Sequence, residues 1–333
     1  MALLVLPKAT FLEENESFFD LKSTTAIRAV CCIVVILVHV QPMHQNKIQD
    51  MIGSFGFVAV TFFFMTSAFG LKVSYIKNPE GIKYFWRRRL PGILIPVFLT
   101  NLIGCVITAV NGKKLGLLSF IAVDLWIVWL LICYLFFWIF YSIKSIKHKD
   151  ILIAIAITAF SLIVFFLGDR IPVTTWVTEI YGFVWGLALA DHKESFRKKS
   201  LDGWLWKGAA LLILSGLSGI AYLRFKQVFF CGNYLLKIVL GIIILLLVLH
   251  LLTRIKIGNK LSAFVGAVSF EVFLLHGKAF DIVEMIDPGM NSGVFIALSI
   301  LITIVLAFAV HEISKRLVGR IRKALVPDAP VRN

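Results

Sequence analysis

The sequence predicts an all-α fold, a polytopic membrane helix bundle of about ten transmembrane helices with both termini in the cytoplasm. Hydrophobic residues make up 59% of the 333 positions and charged residues only 16%, and the mean hydropathy is +0.90. A water-soluble protein could not cover its surface with so few polar groups, so these values indicate a membrane protein. The apolar runs lack the alternation of barrel strands and are longer than such strands, which favours helices.

Ten apolar runs each approach the roughly 20 residues that a helix needs to cross the hydrocarbon of a bilayer. They are residues 26–43, 53–75, 90–110, 117–141, 151–168, 171–190, 204–223, 233–253, 262–280 and 292–313. The fifth and sixth runs are separated by only two residues, so they would alternatively form one broken element. The runs divide the chain into a cytoplasmic N-terminal segment (1–25), a transmembrane core (26–313) and a basic cytoplasmic tail (314–333).

The net charge of +15 is distributed over the short connections between these runs. Nucleic acid is therefore not predicted as a partner, because the cytoplasmic connections of membrane proteins carry an excess of lysine and arginine. Placing the N-terminus inside assigns 23 of these residues to inner segments and seven to outer segments, which sets both termini in the cytoplasm. The basic tail would either anchor this orientation or lie as an amphipathic extension on anionic membrane lipid.

The first run, "RAVCCIVVILVH", has Arg28 and His39 at its two ends. Eleven residues of helix separate them by roughly 16 Å and return to within about 20° of the same face. Ionisable groups inside a membrane usually face the bundle interior or a wet cavity, because lipid exposure is costly. The alternatives are an Arg28 that extends to the inner interface and a His39 that is satisfied by water near the outer headgroups.

The third run begins with "WRRRLPGILIP", in which Arg87, Arg88 and Arg89 follow Trp86. Guanidinium groups suit phosphate oxygens because they donate several hydrogen bonds in a fixed plane. This cluster therefore predicts a phosphate-binding inner mouth. The excess of basic residues on cytoplasmic connections would explain the same cluster without a ligand.

The ninth run contains "SFEVFLLHGKAF", residues 269 to 280. His276 reaches about the same height in the membrane as His39, because each lies 13 or 14 positions from the start of its run and both runs lead outward. We therefore expect the two imidazoles to meet at one outward-facing cavity. Glu271 lies deep in the same run, and we expect it to pair with a group on another helix.

Four segments together resemble the acyltransferase family 3 membrane proteins, and the resemblance covers nearly the whole chain. The first run matches a signature of arginine and histidine with ten residues between them, and "SFEVFLLH" is similar to the late span that begins with serine and ends with histidine, which assigns Ser269 and His276. "FFFMTSAFGL" resembles a phrase of aromatic residues before a Ser-Gly pair, although Ser67 is followed by alanine. "WRRRLPGILIP" resembles a stretch with two arginines three apart, although Gly92 takes the second position.

The resemblance implies an O-acyltransferase in a cell membrane, most simply the bacterial cytoplasmic membrane. The donor would be acetyl-CoA or another acyl-CoA, the acceptor a hydroxyl of a surface or secreted carbohydrate, and the residues of the matching segments would bind these substrates. The residues placed in substrate or donor binding are Arg28, Arg87, Arg88, Arg89, Ser67 and Ser269.

The two histidines would carry the chemistry of such a transfer. Sugar hydroxyls have pKa values far above 7, so their attack on a thioester needs a base, and histidine, with an ordinary pKa of about 6.5, is the usual choice. We assign that role to His39. His276 would orient the acceptor, stabilise the developing oxyanion or share the proton.

Two other classes of function fit parts of the pattern. A proton-coupled secondary transporter would also place Arg, His and Glu inside a helix bundle, but such proteins commonly show duplicated halves, which this sequence lacks. A non-catalytic membrane scaffold would have no need of two histidines at one height. No metal is predicted, because the five cysteines include no spaced pair typical of a metal site.

Overall fold

The computed structural model describes residues 1–168 and 176–325. These residues are almost entirely helical, and two short antiparallel strands, β1 (Thr10–Phe11) and β2 (Ile255–Lys256), form a two-stranded sheet. The predicted all-α membrane fold is confirmed. The helices are α1 (Ala2–Val5), α2 (Leu21–Val38), α3 (Lys47–Gly53), α4 (Gly56–Lys77), α5 (Phe85–Arg89), α6 (Pro91–Val110), α7 (Leu125–Ser142), α8 (Lys149–Phe166), α9 (Tyr181–Leu201), α10 (Trp204–Phe225), α11 (Lys237–Leu252), α12 (Lys260–Ala267), α13 (Ser269–Ile286) and α14 (Ser292–Leu325).

The described chain divides into two compact units. Unit 1 comprises Met1–Cys31, Ser54–Glu80 and the described part of Leu125–Ala263. Unit 2 comprises Cys32–Gly53, Gly81–Asp124 and the described residues from Phe264 onward. Helices α2 and α12 each pass from one unit to the other.

The helices agree with the predicted apolar runs over most of the chain. Within residues 1–168 and 176–325, eight helical segments are long and apolar enough to cross a membrane. The number becomes nine if α12 and α13, which are bent by 73°, form one broken span. The predicted run 171–190 overlaps the first half of α9, and the second half of this helix is strongly charged. The first five residues of the predicted run, 171–175, lie outside the described ranges. Helices α8 and α9 form two helical pieces, and part of the connection between them lies outside the described residues.

Several predicted boundaries differ from the structure. Helix α2 begins at Leu21 because the carboxylate of Asp20 accepts a hydrogen bond from the backbone N–H of Ser23 at 2.7 Å, which caps the first turn. The same helix ends at Val38, shortly before a 3-10 turn that starts with a proline, so His39 lies just past the helix rather than inside it. At the other end of the chain, α14 continues unbroken through the predicted boundary at 313.

The core of unit 1 depends on the close packing of α9 against α4. Gly182 and Gly186 lie one helical turn apart on α9, and a Cβ atom built on them would approach the carbonyl oxygens of Thr61 and Met65 to 2.1 and 2.2 Å. This arrangement is the small-xxx-small pattern that lets membrane helices approach closely. Neither glycine can therefore carry a side chain without displacing α4.

Unit 2 contains the helices α6, α13 and α14, and their contacts fix their directions. Gly104 of α6 lies against the side chain of Lys278 on α13, and the later parts of both helices also lie together, so α6 and α13 run in parallel. Gly92, near the start of α6, lies against Arg322, near the end of α14, so α14 runs antiparallel to α6. The buried face of α14 is mostly small, which permits tight packing.

We predict that Gly186→Ala destabilises unit 1. The added methyl group would overlap the Met65 carbonyl oxygen, and overpacking of this kind typically costs about 1–3 kcal/mol. Thermal unfolding in detergent should therefore show a lower Tm than that of the unaltered protein. Gly216→Ala in α10 is the control, because no described heavy atom lies within 4 Å of its built Cβ. Equal Tm values for the two variants would contradict the proposed packing.

Candidate active site

Two histidines from distant parts of the chain lie side by side in unit 2. The ring centroids of His39 and His276 are 4.6 Å apart, and the ring planes are inclined by 50°. His39 follows the last residue of α2 and is exposed, whereas His276 lies near the middle of α13 and is half-buried. The prediction that the two imidazoles meet is confirmed.

Hydrogen bonds to the backbone fix the tautomer of both rings. The Nδ1 atom of His39 lies 2.9 Å from the carbonyl oxygen of Val35, and the Nδ1 atom of His276 lies 3.3 Å from that of Val272. A carbonyl oxygen only accepts hydrogen bonds, so each Nδ1 must carry the hydrogen. In the neutral ring, each Nε2 then has a free lone pair and is the basic atom.

An aromatic layer packs beside this pair. The ring of Phe280, one turn beyond His276 on α13, lies 6.0 Å from the His276 ring and 5.8 Å from that of Phe295 on α14. His44 stacks on Phe295 at 3.8 Å and is buried. Its carbonyl oxygen accepts a 2.6 Å hydrogen bond from the hydroxyl of Ser292, which ties the segment after His39 to α14. The sequence offered no signal for selecting His44, because only the packing reveals its position.

A second ionisable pair lies about 8 Å from His276 toward the start of α13. The Nδ1 atom of His311 on α14 lies 2.9 Å from Oε1 of Glu271. Glu271 is 4% exposed, and its Oε2 atom is buried without a hydrogen-bond partner among the described residues. The expected pairing of Glu271 with another helix is confirmed. The sequence did not predict a role for His311, because it lies at the end of the tenth run, where ionisable residues are common in membrane helices.

The predicted arginine cluster forms helix α5, at the start of α6. Arg87 is exposed, whereas Arg88 and Arg89 are half-buried. The guanidinium of Arg88 lies over the ring of Tyr84, with 5.9 Å from Cζ to the ring centroid. Its Nε atom is buried and has no hydrogen-bond partner among the described residues. The cluster therefore holds a guanidinium group whose hydrogen-bonding capacity is not fully used within the described residues.

A fourth arginine joins this cluster from a distant part of the sequence. Arg322 of α14 lies against Gly92, so that a Cβ atom built on Gly92 would be 2.8 Å from one of its guanidinium nitrogens. Helix α14 also contacts α5, and the charge of Arg89 acts on Arg322. Gly92 takes the place of the second arginine of the family pattern, and the Arg322 guanidinium fills the space that a side chain at position 92 would occupy. Sequence reading assigned it only to the basic tail.

The remaining predicted residues are distributed over both units. Ser269 begins α13, and its carbonyl oxygen is 4.0 Å from the sulfur of Cys32. Ser67 belongs to unit 1, where its hydroxyl lies 2.6 Å from that of Tyr134. Arg28 is half-buried on the part of α2 that also belongs to unit 1. The structure therefore groups the two histidines with the arginines of α5 and with Ser269, but not with Arg28 or Ser67.

The polar groups of unit 2 supply bases near its middle and cations at one end. The distance along α6 from its arginine end to the level of the histidines is on the order of 16 Å. Within residues 1–168 and 176–325, no group of three or more His, Cys, Asp or Glu residues is arranged to hold a metal ion. The arrangement can bind an anion at one end and accept a proton at the histidine pair.

The sequence was also compared with known proteins. The sequence model of a family described as an acyltransferase domain, that of the acyltransferase family 3 proteins, matches residues 21–312. This match contains both histidines and the arginines of α5. No curated protein and no solved structure matches the chain significantly.

We predict that His311→Ala destabilises unit 2 by about 3 kcal/mol, because removal of one partner leaves the buried carboxylate of Glu271 without its hydrogen bond. Glu271→Gln should cost less, since the amide keeps an oxygen that accepts the hydrogen bond from His311. Combining Glu271→Gln with His311→Ala should recover part of the loss. Unfolding in detergent measures all three, and equal stability of His311→Ala and the unaltered protein would contradict a buried pair.

Proposed function

The chain belongs to acyltransferase family 3 and is a multi-pass membrane acyltransferase, and we propose that it moves an acyl group, most simply acetyl, from acyl-coenzyme A to a hydroxyl of a surface or secreted glycan. The observation that carries this proposal is the pair of histidines with free Nε2 atoms in the unit that also holds the arginines of α5. A cell membrane, most simply the bacterial cytoplasmic membrane, would hold the enzyme between a cytoplasmic donor and an outer acceptor.

His39 acts as the general base. Its Nε2 atom takes the proton of the acceptor hydroxyl as that oxygen attacks the thioester carbonyl carbon. The tetrahedral intermediate then expels the thiolate of coenzyme A, and the imidazolium returns the proton to this sulfur. The products are the O-acyl glycan and free thiol, and His39 ends in its starting state. General bases of this kind contribute on the order of 10²–10⁴ in rate.

His276 shares the proton that His39 receives. A neutral imidazole with hydrogen on Nδ1 has no donor at Nε2, so His276 in this tautomer cannot stabilise an oxyanion. It can accept a hydrogen bond from the Nε2–H of a protonated His39, whose ring centroid is 4.6 Å away. This contact would lower the energy of the imidazolium during the attack. Of the three roles open from sequence, this tautomer disfavours oxyanion stabilisation, and the short distance between the rings supports proton sharing.

The arginines at the start of α6 bind the phosphates of coenzyme A. Arg88 presents a buried, unpaired Nε atom, and Arg322 adds a guanidinium beside Arg89. Like charges repel each other, so such a group is stabilised by a bound polyanion, and guanidinium groups match phosphate oxygens in geometry. From this end, the extended pantetheine arm would cover the roughly 16 Å to the histidines.

We predict that His39→Ala lowers acyl transfer by about 10²–10⁴ while membrane insertion is retained, because the general base is lost. His276→Ala should give a smaller loss. If the two rings share one proton, the double variant should be hardly worse than His39→Ala alone, because residues that act as a unit are not additive.

Transfer is measured in two ways, as free thiol released by purified protein with and without glycan, and as acyl groups on cell-surface sugar by mass spectrometry. A transporter or scaffold would release no thiol. Gly277→Ala is the matched control, since it neighbours His276 and no described heavy atom lies within 4 Å of its built Cβ. Undiminished acylation by His39→Ala would remove this residue from the mechanism.

We predict that Arg322→Ala raises the KM for acetyl-CoA about tenfold, as expected for one lost charged hydrogen bond. Arg89→Gln should do the same, and the KM for the acceptor should change little in both variants. Arg322→Ala also vacates the space above Gly92, so adding Gly92→Arg should restore part of the donor affinity. Lys323→Ala, next to Arg322 in sequence, is the control. A donor KM that is unchanged in Arg322→Ala would refute this placement.

A further inference from the structure

A polar cavity of about 350 Å³ lies at the end of unit 2 opposite to the arginines. It is lined by the end of α6 and the turn that follows it, and by the last turns of α13. The lining residues are Ile107, Thr108, Asn111, Lys113, Asp281, Glu284 and Met285. Its size falls within the range of small-molecule sites.

The turn after α6 gives this cavity a defined wall. Gly112 has a φ of +67°, which closes the helix with two hydrogen bonds, from its own N–H to the carbonyl of Ala109 and from the N–H of Lys113 to the carbonyl of Thr108. This is the Schellman arrangement of a helix end. It holds Lys113 next to Thr108, so both line the cavity in a fixed geometry.

Most of the polar groups that face the cavity are uncommitted. No hydrogen bond ties the Asp281 carboxylate or the Lys113 ammonium to another described side chain. Glu284 uses only Oε2, which accepts a 3.2 Å hydrogen bond from the side chain of Gln41. Carboxylate, amide, hydroxyl and ammonium groups on neighbouring walls match the alternating donors and acceptors of a sugar ring.

The cavity lies close to the proposed reaction centre. Gln41, which bonds Glu284, is two residues after His39, a reach of about 7 Å. On α13, Asp281 is five residues past His276, about 8 Å along the helix axis. A sugar held between Thr108 and Asp281 would therefore lie about 8 Å along α13 from His276, next to the proposed reaction centre.

The charges on the lining select among sugars. Two carboxylates face the cavity against the single ammonium of Lys113. Lys278 is not part of the lining, and its ammonium donates to the carbonyl oxygen of Leu274. Its charge acts on Asp281 but also on Asp124, so carboxylates outnumber ammonium groups around the cavity by three to two. A uronic acid or a phosphorylated sugar would meet like charge here, whereas a neutral or amino sugar would not.

We propose that this cavity is the acceptor subsite and that it takes a neutral or amino sugar and rejects acidic ones. The inference rests on the proposed function, because it gives the class of acceptor for the same transfer. Asp281 and Glu284 bind hydroxyl groups of the acceptor, and Lys113 and Asn111 contact the opposite edge of the sugar ring.

The test uses the full-length protein in lipid nanodiscs with acetyl-CoA and two acceptors, methyl glucoside and methyl glucuronide. The unaltered protein should release thiol faster with the glucoside. Asp281→Asn and Glu284→Gln should each raise the KM for the glucoside about tenfold, as expected for one lost charged hydrogen bond, and change the KM for acetyl-CoA much less. Asp287→Asn, just after α13 and outside the cavity, is the matched control and should keep both values.

Charge reversal provides an independent readout. Asp281→Lys should improve the use of methyl glucuronide relative to methyl glucoside, and no loss of folding can produce this gain. If the unaltered protein releases thiol with glucoside but the variants keep both the acceptor KM and the acceptor preference, the subsite is wrong and the transferase stands. If the unaltered protein releases no thiol with any acceptor or donor, the proposed function falls and the subsite falls with it.

Discussion

Two hydrogen bonds from imidazole to backbone are the interactions on which the proposed chemistry depends. Val272 lies inside α13, so its carbonyl oxygen accepts the contact from the His276 ring in addition to its helical hydrogen bond. Val35 lies in the last turn of α2, where the backbone N–H of His39 donates to Ile36 instead, so the carbonyl oxygen of Val35 remains for the His39 ring. These contacts hold both rings in one tautomer and leave the opposite nitrogen basic. Without them, the rings would present either a donor or an acceptor to the substrate, and the direction of proton transfer would not be fixed.

Unit 2 separates charge by sign along its length. Cations lie at the start of α6, the pair of Glu271 and His311 and the two histidines proposed to be catalytic lie beside α13, and carboxylates line the cavity at the far end. A negatively charged donor and an uncharged acceptor would thus find their complements at opposite ends. The hydrophobic middle leaves few polar groups for either of them to contact, so the histidine pair is the place where they would meet.

Hydropathy and charge predicted the fold class and most of the helices, because the length of an apolar run and the cost of burying charge are local properties of a sequence. The convergence of His39 and His276 followed from their equal distance from one face of the membrane. By contrast, the end of α2 at Val38, the bend before Ser269 and the pairing of His311 with Glu271 depend on neighbouring helices. Arg322 was missed for the same reason, since nothing in its own segment indicates that it covers Gly92.

The length of α14 has a consequence for the environment of the arginines. Its 34 residues span about 51 Å, whereas the hydrocarbon of a bilayer is about 30 Å thick, so about two fifths of the helix exceeds that thickness. A helix of this length would place Arg322, near its end, at the level of the lipid headgroups, and anionic headgroups attract guanidinium groups. If the proposed donor site is correct, anionic lipid would compete with acyl-CoA for these arginines, so the lipid composition of the membrane would set the apparent affinity for the donor.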